Sequence, residues 1–426
     1  MKKFLLIILF TAVNCNAQLY WDISHTKPLP YPVSGGAIVY DLASLSTKIY
    51  VFGGYSDSLQ KAVDWIQEYD VTKDTWRIVG HMIQAREEFV ANIWKNSVMY
   101  FGGAQDASTD KISMESWDYK IVTNLASVYA RDDNFSRTFS AGHIANDNLY
   151  IIGGEPTTQG DSLVYFTKYN LTDKTFSSSY PSSNIISQRM TFMVGDNIYI
   201  FGGVMNGVMY SIQRFNVTTQ QLVDLPQHLL AVRAAGAAVY NPLSQKGFII
   251  GGYDEKQSAL NTVEQIEILP DGTLKITSIA PLNYARTNLM AVAYSNGLVA
   301  VIGGRTGRGH SGITVPYMEI LKETTSIEKG NNLPKDFELF QNYPNPFNPS
   351  TNISFTISKR SSISVDVYSI LGEHVITLTS GDYEPGKYAK EWDAVDKFNN
   401  RVPSGIYFVQ LRTGNFIQTK KMVLLK

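Results

Sequence analysis

The sequence predicts an all-β protein: a ring of small repeated sheets followed by a β-sandwich. The first observation is a set of six glycine pairs, Gly53-Gly54, Gly102-Gly103, Gly153-Gly154, Gly202-Gly203, Gly251-Gly252 and Gly303-Gly304, spaced by 49, 51, 49, 49 and 52 residues. The second is that each pair ends a short apolar run: KIYVF, SVMYF, NLYII, NIYIF, KGFII and LVAVI. The third is composition. Aromatic residues make up 12% of the chain and charged residues 18%, a balance that suits strands in an exported all-β protein. A period near 50 residues with this punctuation marks a repeat architecture in which each unit buries its face against the next. Function is then expected on the faces or in the central channel of the ring.

Residues 1–17 read as a secretory signal peptide. Lys2 and Lys3 supply the positive start, Phe4 to Val13 are largely apolar, and Cys15-Asn16-Ala17 offers small residues where a signal peptidase reads them. Cleavage is expected after Ala17. The apolar stretch is too short to span a bilayer, and no later stretch reads as a transmembrane helix. Cys15 is the only cysteine. Acylation there would make a lipoprotein, but Asn14 is a poor residue before such a site, so Cys15 is expected to leave with the signal. The exported chain then has no disulfide, no Cys-ligated metal and no Cys nucleophile. It must rely on its core, and about 400 residues can bury a large one. With 37 basic and 38 acidic residues the net charge is −1, which argues against a nucleic-acid or polybasic membrane partner.

Residues 18–323 are expected to form the ring. In the first repeat, strands are expected at Gly36–Tyr40, Ile49–Phe52, Asp64–Asp70 and Thr75–Val79. The second strand is apolar throughout, as for a strand covered on both faces, and its glycines serve a turn that needs positive φ or close approach. Strand three carries Tyr69, and Trp76 follows seven positions later around VTKDT. The third repeat repeats this as Tyr169 and Phe176 around LTDKT, the fourth as Phe215 and Leu222 around VTTQQ. These large side chains are expected to pack between neighbouring sheets. The second repeat offers Trp117 and Tyr119 without a clear following Trp, and the fifth has Ile266 and Leu274 in place of aromatics.

This pattern of apolar run, Gly-Gly, then Tyr and Trp with six residues between them, resembles the kelch repeat over residues from about 18 to 324. The resemblance implies a six-bladed kelch-type β-propeller. The sixth repeat has strands at Asn288–Tyr294, Leu298–Ile302 and about Val315–Leu321, then lacks a fourth. The segment Leu19 to Ile23, with Trp21 where the strand-four Trp belongs, is expected to complete blade six and hide its edge.

Residues 324–336, polar and charged, read as a linker, and 337–426 as a separate small β-sandwich. Strands are expected at Ser362–Tyr368, His374–Thr379, Tyr388–Trp392, Gly405–Arg412 and Lys420–Leu425. This module resembles the C-terminal sorting domain of the type IX secretion system. The matching pieces are NYPNPFNPST from Asn342 to Thr351, Val367 to Gly372, Trp392-Asp393, Val402 to Tyr407, and TKKMVLLK from Thr419 to Lys426. The KFNN segment, Lys397 to Asn400, departs from the family's glycine-bearing turn, although Asn tolerates the same left-handed backbone. The resemblance implies export through the periplasm, partnership with the type IX secretion machinery, and a secreted or outer-surface location. In this family the module is commonly removed, and the cargo is released or attached to surface lipopolysaccharide. The competing reading is an accessory sandwich that binds carbohydrate or the ring.

No HExxH, GxSxG, Walker loop or EF-hand pattern occurs, and no two of the six histidines are close in sequence. Neither a metal nor any other cofactor is expected. His143 is placed on strand one of blade three, where it either faces the channel or packs. Arg86, Arg137, Arg189, Arg233 and Arg286 each precede strand one of a blade, and five guanidinium groups on one rim would suit a carboxylate-bearing sugar. The competing reading is that each locks its own repeat locally. The segment RTGRGHSG, from Arg305 to Gly312, occurs only in blade six, and its Arg305 and Arg308 are candidates for an anion-binding loop. Glu87, Glu88 and Glu155 are carboxylates near loops with no distinguishing pattern. The expected function is an exported binding protein holding a glycan or a protein ligand on one face. The alternative is a metal-independent carbohydrate-active enzyme: kelch propellers include a sialic-acid mutarotase family, and a copper-dependent oxidase family whose Cys–Tyr cross-link this chain cannot form.

Overall fold

A computed structural model of the chain describes residues 19–23, 26–40, 47–104, 113–119, 126–156, 164–181, 186–294, 297–323, 337–342, 345, 347–370, 372–414 and 416–425. The expected signal peptide and linker lie outside the described residues. Residues 18–323 form one compact unit, and residues 324–426 belong to a second.

The first unit contains six antiparallel four-stranded sheets among the described residues. Sheet one is Ala37–Tyr40, Lys48–Phe52, Trp65–Asp70 and Thr75–His81. Sheets two to five repeat this order, opening with Glu87–Trp94, Ala141–Ala145, Met190–Val194 and Ala237–Asn241. Sheet six is Met290–Tyr294, Leu298–Ile302 and Glu319–Glu323, with Leu19–Asp22 as its outer strand. The first strands touch one another in a closed cycle, with sheet six returning to sheet one. The protein is therefore a β-propeller, with the first strands around its channel. Among the described residues no helix is long and apolar enough to cross a membrane.

Each apolar run is a second strand whose last four residues are buried on both faces, as in Lys48–Phe52, Asn197–Phe201 and Leu298–Ile302. Tyr69 and Trp76 are direct cross-strand partners with ring centroids 4.9 Å apart. They pack against Met290 and Val292, joining sheets one and six. Tyr169 pairs with Phe176 and Phe215 with Leu222 in the same way. In sheet five Ile266 pairs instead with Ile276, and Leu274 opposes Ile268, because the turn at Pro270-Asp271-Gly272 sets a different register. The second repeat does have a fourth strand, Ser127–Arg131, which carries Tyr129.

The glycine pairs fasten each sheet to the next. Gly203 has φ 96°, and a Cβ there would lie 2.7 Å from the Ser187 carbonyl oxygen, so no other residue fits. Its N–H donates to Arg233 O at 3.0 Å, in sheet five. Gly54, Gly154 and Gly252 donate in the same way to Arg86, Ile186 and Arg286, and Gly304 to Val33 returns the pattern to sheet one. A second, inner belt runs around the same end of the channel. Gly35, Glu88, Phe139, Gln188, Ala235 and Asn288 all adopt positive φ, between 47° and 63°. Gly35 N–H donates to Asn288 O, Asn288 to Ala235, Ala235 to Gln188, Gln188 to Phe139, Phe139 to Glu88, and Glu88 back to Gly35, at 2.5–3.2 Å. Left-handed backbone costs about 1–2 kcal/mol per non-glycine residue. The closed circuit of hydrogen bonds holds it in place.

The second unit is a two-sheet sandwich. Glu338–Leu339, Thr351–Ile357 and Gly386–Trp392 form one sheet. His374–Tyr383, Ser361–Ser369, Gly405–Thr413 and Phe416–Leu424 form the other. They share a core built on Phe347, Phe355, Val367, Trp392 and Leu411. In the KFNN turn Asn399 has φ 64°, and the Asp396 carboxylate accepts the N–H groups of Phe398 and Asn400.

Candidate functional site

The glycine pairs and the starts of the first strands lie together at one end of the propeller, joined by bridges such as Ser34 to Tyr55 and Thr287 to Arg305. The rim arginines divide by position here. Arg86, Arg233 and Arg286 are fully buried. Each donates to the carbonyl of the first glycine in its own pair and to a carboxylate on its own third strand. Arg233 reaches Gly251 O at 3.0 Å and Glu264 Oε1 at 2.6 Å, while Arg86 and Arg286 pair with Glu115 and Glu319. The second oxygen of each carboxylate accepts a backbone N–H, from Ile83, Leu230 and Asn283. Arg137 is buried and donates to Asn134 O and Gly153 O. These four are tied into their own repeats, which is the local arrangement rather than a shared rim for a carboxylate. Burial lowers the pKa of Arg86 and Arg233, and that of Arg137 to about 10. Arg189 is out of register with them. The repeat-equivalent residue is Ile186, whose carbonyl takes the glycine N–H, and Arg189 lies against Gly203 instead.

Arg305 and Arg308 stand apart from these, at the mouth of the channel. Arg305 follows the sixth glycine pair, is 1% exposed, and binds Asp57 Oδ1 at 2.5 Å and Ser311 O at 3.0 Å. Asp57 also accepts the Thr314 N–H, so the start and end of the Arg305–Thr314 loop are anchored to sheet one. The tip of that loop reaches elsewhere. His310 stacks on Tyr55 at 3.8 Å, and its Nε2 lies 2.8 Å from Glu87 Oε1 in sheet two. Arg308 lies 5.0 Å from the ring of Tyr253 in sheet five, a cation–π distance. One loop of sheet six thus touches sheets one, two and five.

Beneath it three carboxyl groups converge. Glu88, in the inner belt, lays its side chain over Gly35, where a Cβ would come within 3.1 Å of its Cγ, and accepts from Asn288 Nδ2 at 2.9 Å. Burial, then the charges of Glu87 and Glu155, push its carboxyl up to about 8, against smaller opposing effects from Asn288 and Arg305. Burial thus favours its protonated form at neutral pH. Glu155 accepts from Ser187 Oγ at 2.6 Å, and Tyr253 Oη donates to Gln188 Oε1 at 2.6 Å. The mouth therefore brings together three carboxyl groups, one of which burial biases toward its neutral form, and an exposed guanidinium, over two buried tyrosines. Among the described residues no group of three His, Cys, Asp or Glu side chains is placed to hold a metal ion. His143 lies within the ring, with Nε2 2.8 Å from Thr191 Oγ1, and burial depresses its pKa to about 4.

Sequence reasoning passed over Glu87, Glu88 and Glu155 as unremarkable. A signal was present: Glu88 stands two residues after Arg86, as Ala235 follows Arg233 and Asn288 follows Arg286. That fixed offset is the inner belt, and only at Glu88 does it carry an acid.

Comparison with known families finds two matches. The KLHDC2/KLHL20/DRC7 Kelch-repeats domain matches residues 8–203. The Secretion system C-terminal sorting domain matches residues 341–425. A search of the curated proteins gives no match.

Proposed function

We propose that this secreted surface protein, a kelch propeller carrying a type IX sorting domain, is a binding protein that holds its ligand at the glycine-pair mouth of the ring. The sorting domain implies export and a secreted or cell-surface location, and its partner in export is the type IX machinery. The observation that carries the binding reading is the convergence of the Arg305–Thr314 loop with Glu87, Glu88, Tyr55 and Tyr253. The exposed Arg308 and the Glu88 carboxyl supply polar contacts for a glycan or an extended protein segment, while Tyr55 and Tyr253 are buried beneath His310 and Arg308 and hold the loop in place.

A second reading has one specific observation in its favour. A carboxyl with a pKa near 8 beside a His–Glu pair is the material of general acid–base catalysis, so a metal-independent sugar-converting enzyme is the alternative. The test is a thermal-shift screen of the exported protein against acidic and neutral glycans, with proton NMR on every hit. Stabilisation without spectral change, lost in Arg308→Ala, supports a binder. Faster anomer exchange lost in Glu88→Gln replaces it with the enzyme. An absence of hits moves the ligand class to protein.

A further inference from the structure

Below the inner belt the channel opens into a cavity of about 610 Å³. Five of the six first strands contribute to its wall. Tyr40 comes from sheet one, His143 from sheet three, Thr191 and Phe192 from sheet four, Tyr240 from sheet five and Ala293 from sheet six. The lining continues past the ends of the first strands of sheets four and five, so the cavity reaches the face opposite the glycine pairs. At the other end the belt and the Glu88 side chain narrow the channel.

Its chemistry differs from that of the glycine-pair mouth. Among the described residues no Asp, Glu, Lys or Arg lines it. His143 is neutral at ordinary pH. An ionic ligand would give up hydration there and find no counter-charge among the described residues. A wholly apolar ligand would leave the polar pair His143–Thr191 (2.8 Å apart) without use. Tyr40 and Tyr240 line the cavity, with Phe192 beside Tyr240 at 5.7 Å, and aromatic rings of this kind suit the C–H face of a sugar ring. The volume falls within the range of small-molecule pockets, about 300–1,000 Å³.

We propose that this channel cavity is a binding site for an uncharged carbohydrate, entered from the face opposite the glycine pairs. The site is separate from the one at the glycine-pair mouth and does not depend on what binds there. The probes are para-nitrophenyl glucoside, which is neutral, and para-nitrophenyl glucuronide, which adds one carboxylate. Saturation-transfer NMR on the full exported chain is expected to show transfer to the glucoside at about 1 mM and at least about ten-fold weaker binding of the glucuronide. Ala293→Trp fills the cavity and is expected to abolish transfer. Thr191→Val keeps the shape, removes the hydroxyl and is expected to weaken it, so the test stands even if the tryptophan variant fails to fold. Equal binding of the two probes, transfer that survives both channel variants, or no transfer to the glucoside would each overturn the proposal.

Discussion

Replacing Glu88 with Gln should change how the stability of the ring depends on pH. The native carboxyl is pushed from 4.5 up to about 8, by burial first and by Glu87 and Glu155 second. The unfolded chain has an ordinary carboxyl. Between those two values the native state keeps a proton that the unfolded state has released, so stability falls as pH rises. This contribution is whole below 4.5 and lost as pH climbs through about 8. His143 acts in the opposite sense: depressed from 6.5 to about 4, its contribution is whole above 6.5 and lost as pH falls. Glu88 is therefore separated from it between pH 6.5 and 8. At about 1.36 kcal/mol per pH unit, that window is worth about 2 kcal/mol. Glutamine keeps an acceptor for Asn288 and removes the proton. Denaturant unfolding at both pH values, in wild type and Glu88→Gln, gives a double difference free of every other titrating group. A wild-type protein that loses about 2 kcal/mol more than the variant is the expected result. Equal slopes in the two proteins would refute the argument that the carboxyl is held neutral.

Arg233→Ala leaves Glu264 buried without its cation and should cost about 3–5 kcal/mol in urea unfolding. Arg233→Met combined with Glu264→Leu should recover only part of that, because the Leu230 N–H and the Gly251 and Thr262 carbonyls lose the partners the pair supplied. Deleting residues 19–22 uncovers the edge of Glu319–Glu323. It should lower the melting temperature and produce concentration-dependent association in light scattering. His310→Ala removes the stack on Tyr55 and the contact with Glu87. Tryptic cleavage after the exposed Arg308 should then accelerate while the buried Arg305 stays protected, as read by mass spectrometry.

Much of the ring was legible because repetition amplifies weak local signals. The glycine pairs stand at points where a Cβ would meet backbone atoms, so they mark the ends of second strands, except in sheet two, where Ser97–Ala104 runs on through its pair. The Tyr–Trp spacing measured a real cross-strand pair, Tyr69 with Trp76. It misled in sheet five, where a turn of different geometry moved the partner of Ile266 to Ile276. The mouth of the channel was far less legible. Arg305 and Asp57 lie 248 positions apart, and His310 and Glu87 lie 223 apart, so nothing local in the chain announces their contact. Arg189 shows the opposite fault: it matched the arginine pattern by type while Ile186 held the position. Residue identity without register could not separate the two.

The seam of the ring has a mechanical consequence. The chain leaves the propeller through Glu319–Glu323, and that strand is not at the edge of its sheet. Leu298–Ile302 flanks it on one side and Leu19–Asp22 on the other. Tension arriving from the C-terminal module during translocation enters at Glu323 and Lys322, held by Leu19 and Tyr20, and then reaches Ile320 and Leu321, which are gripped along both margins. Lys322 adds a tether to Asp22 at 2.6 Å, and the Trp21 indole anchors the outer strand to Ala280 O in sheet five. A pulling force must therefore shear two ladders together before the ring can open, and the load is shared with the neighbouring sheet.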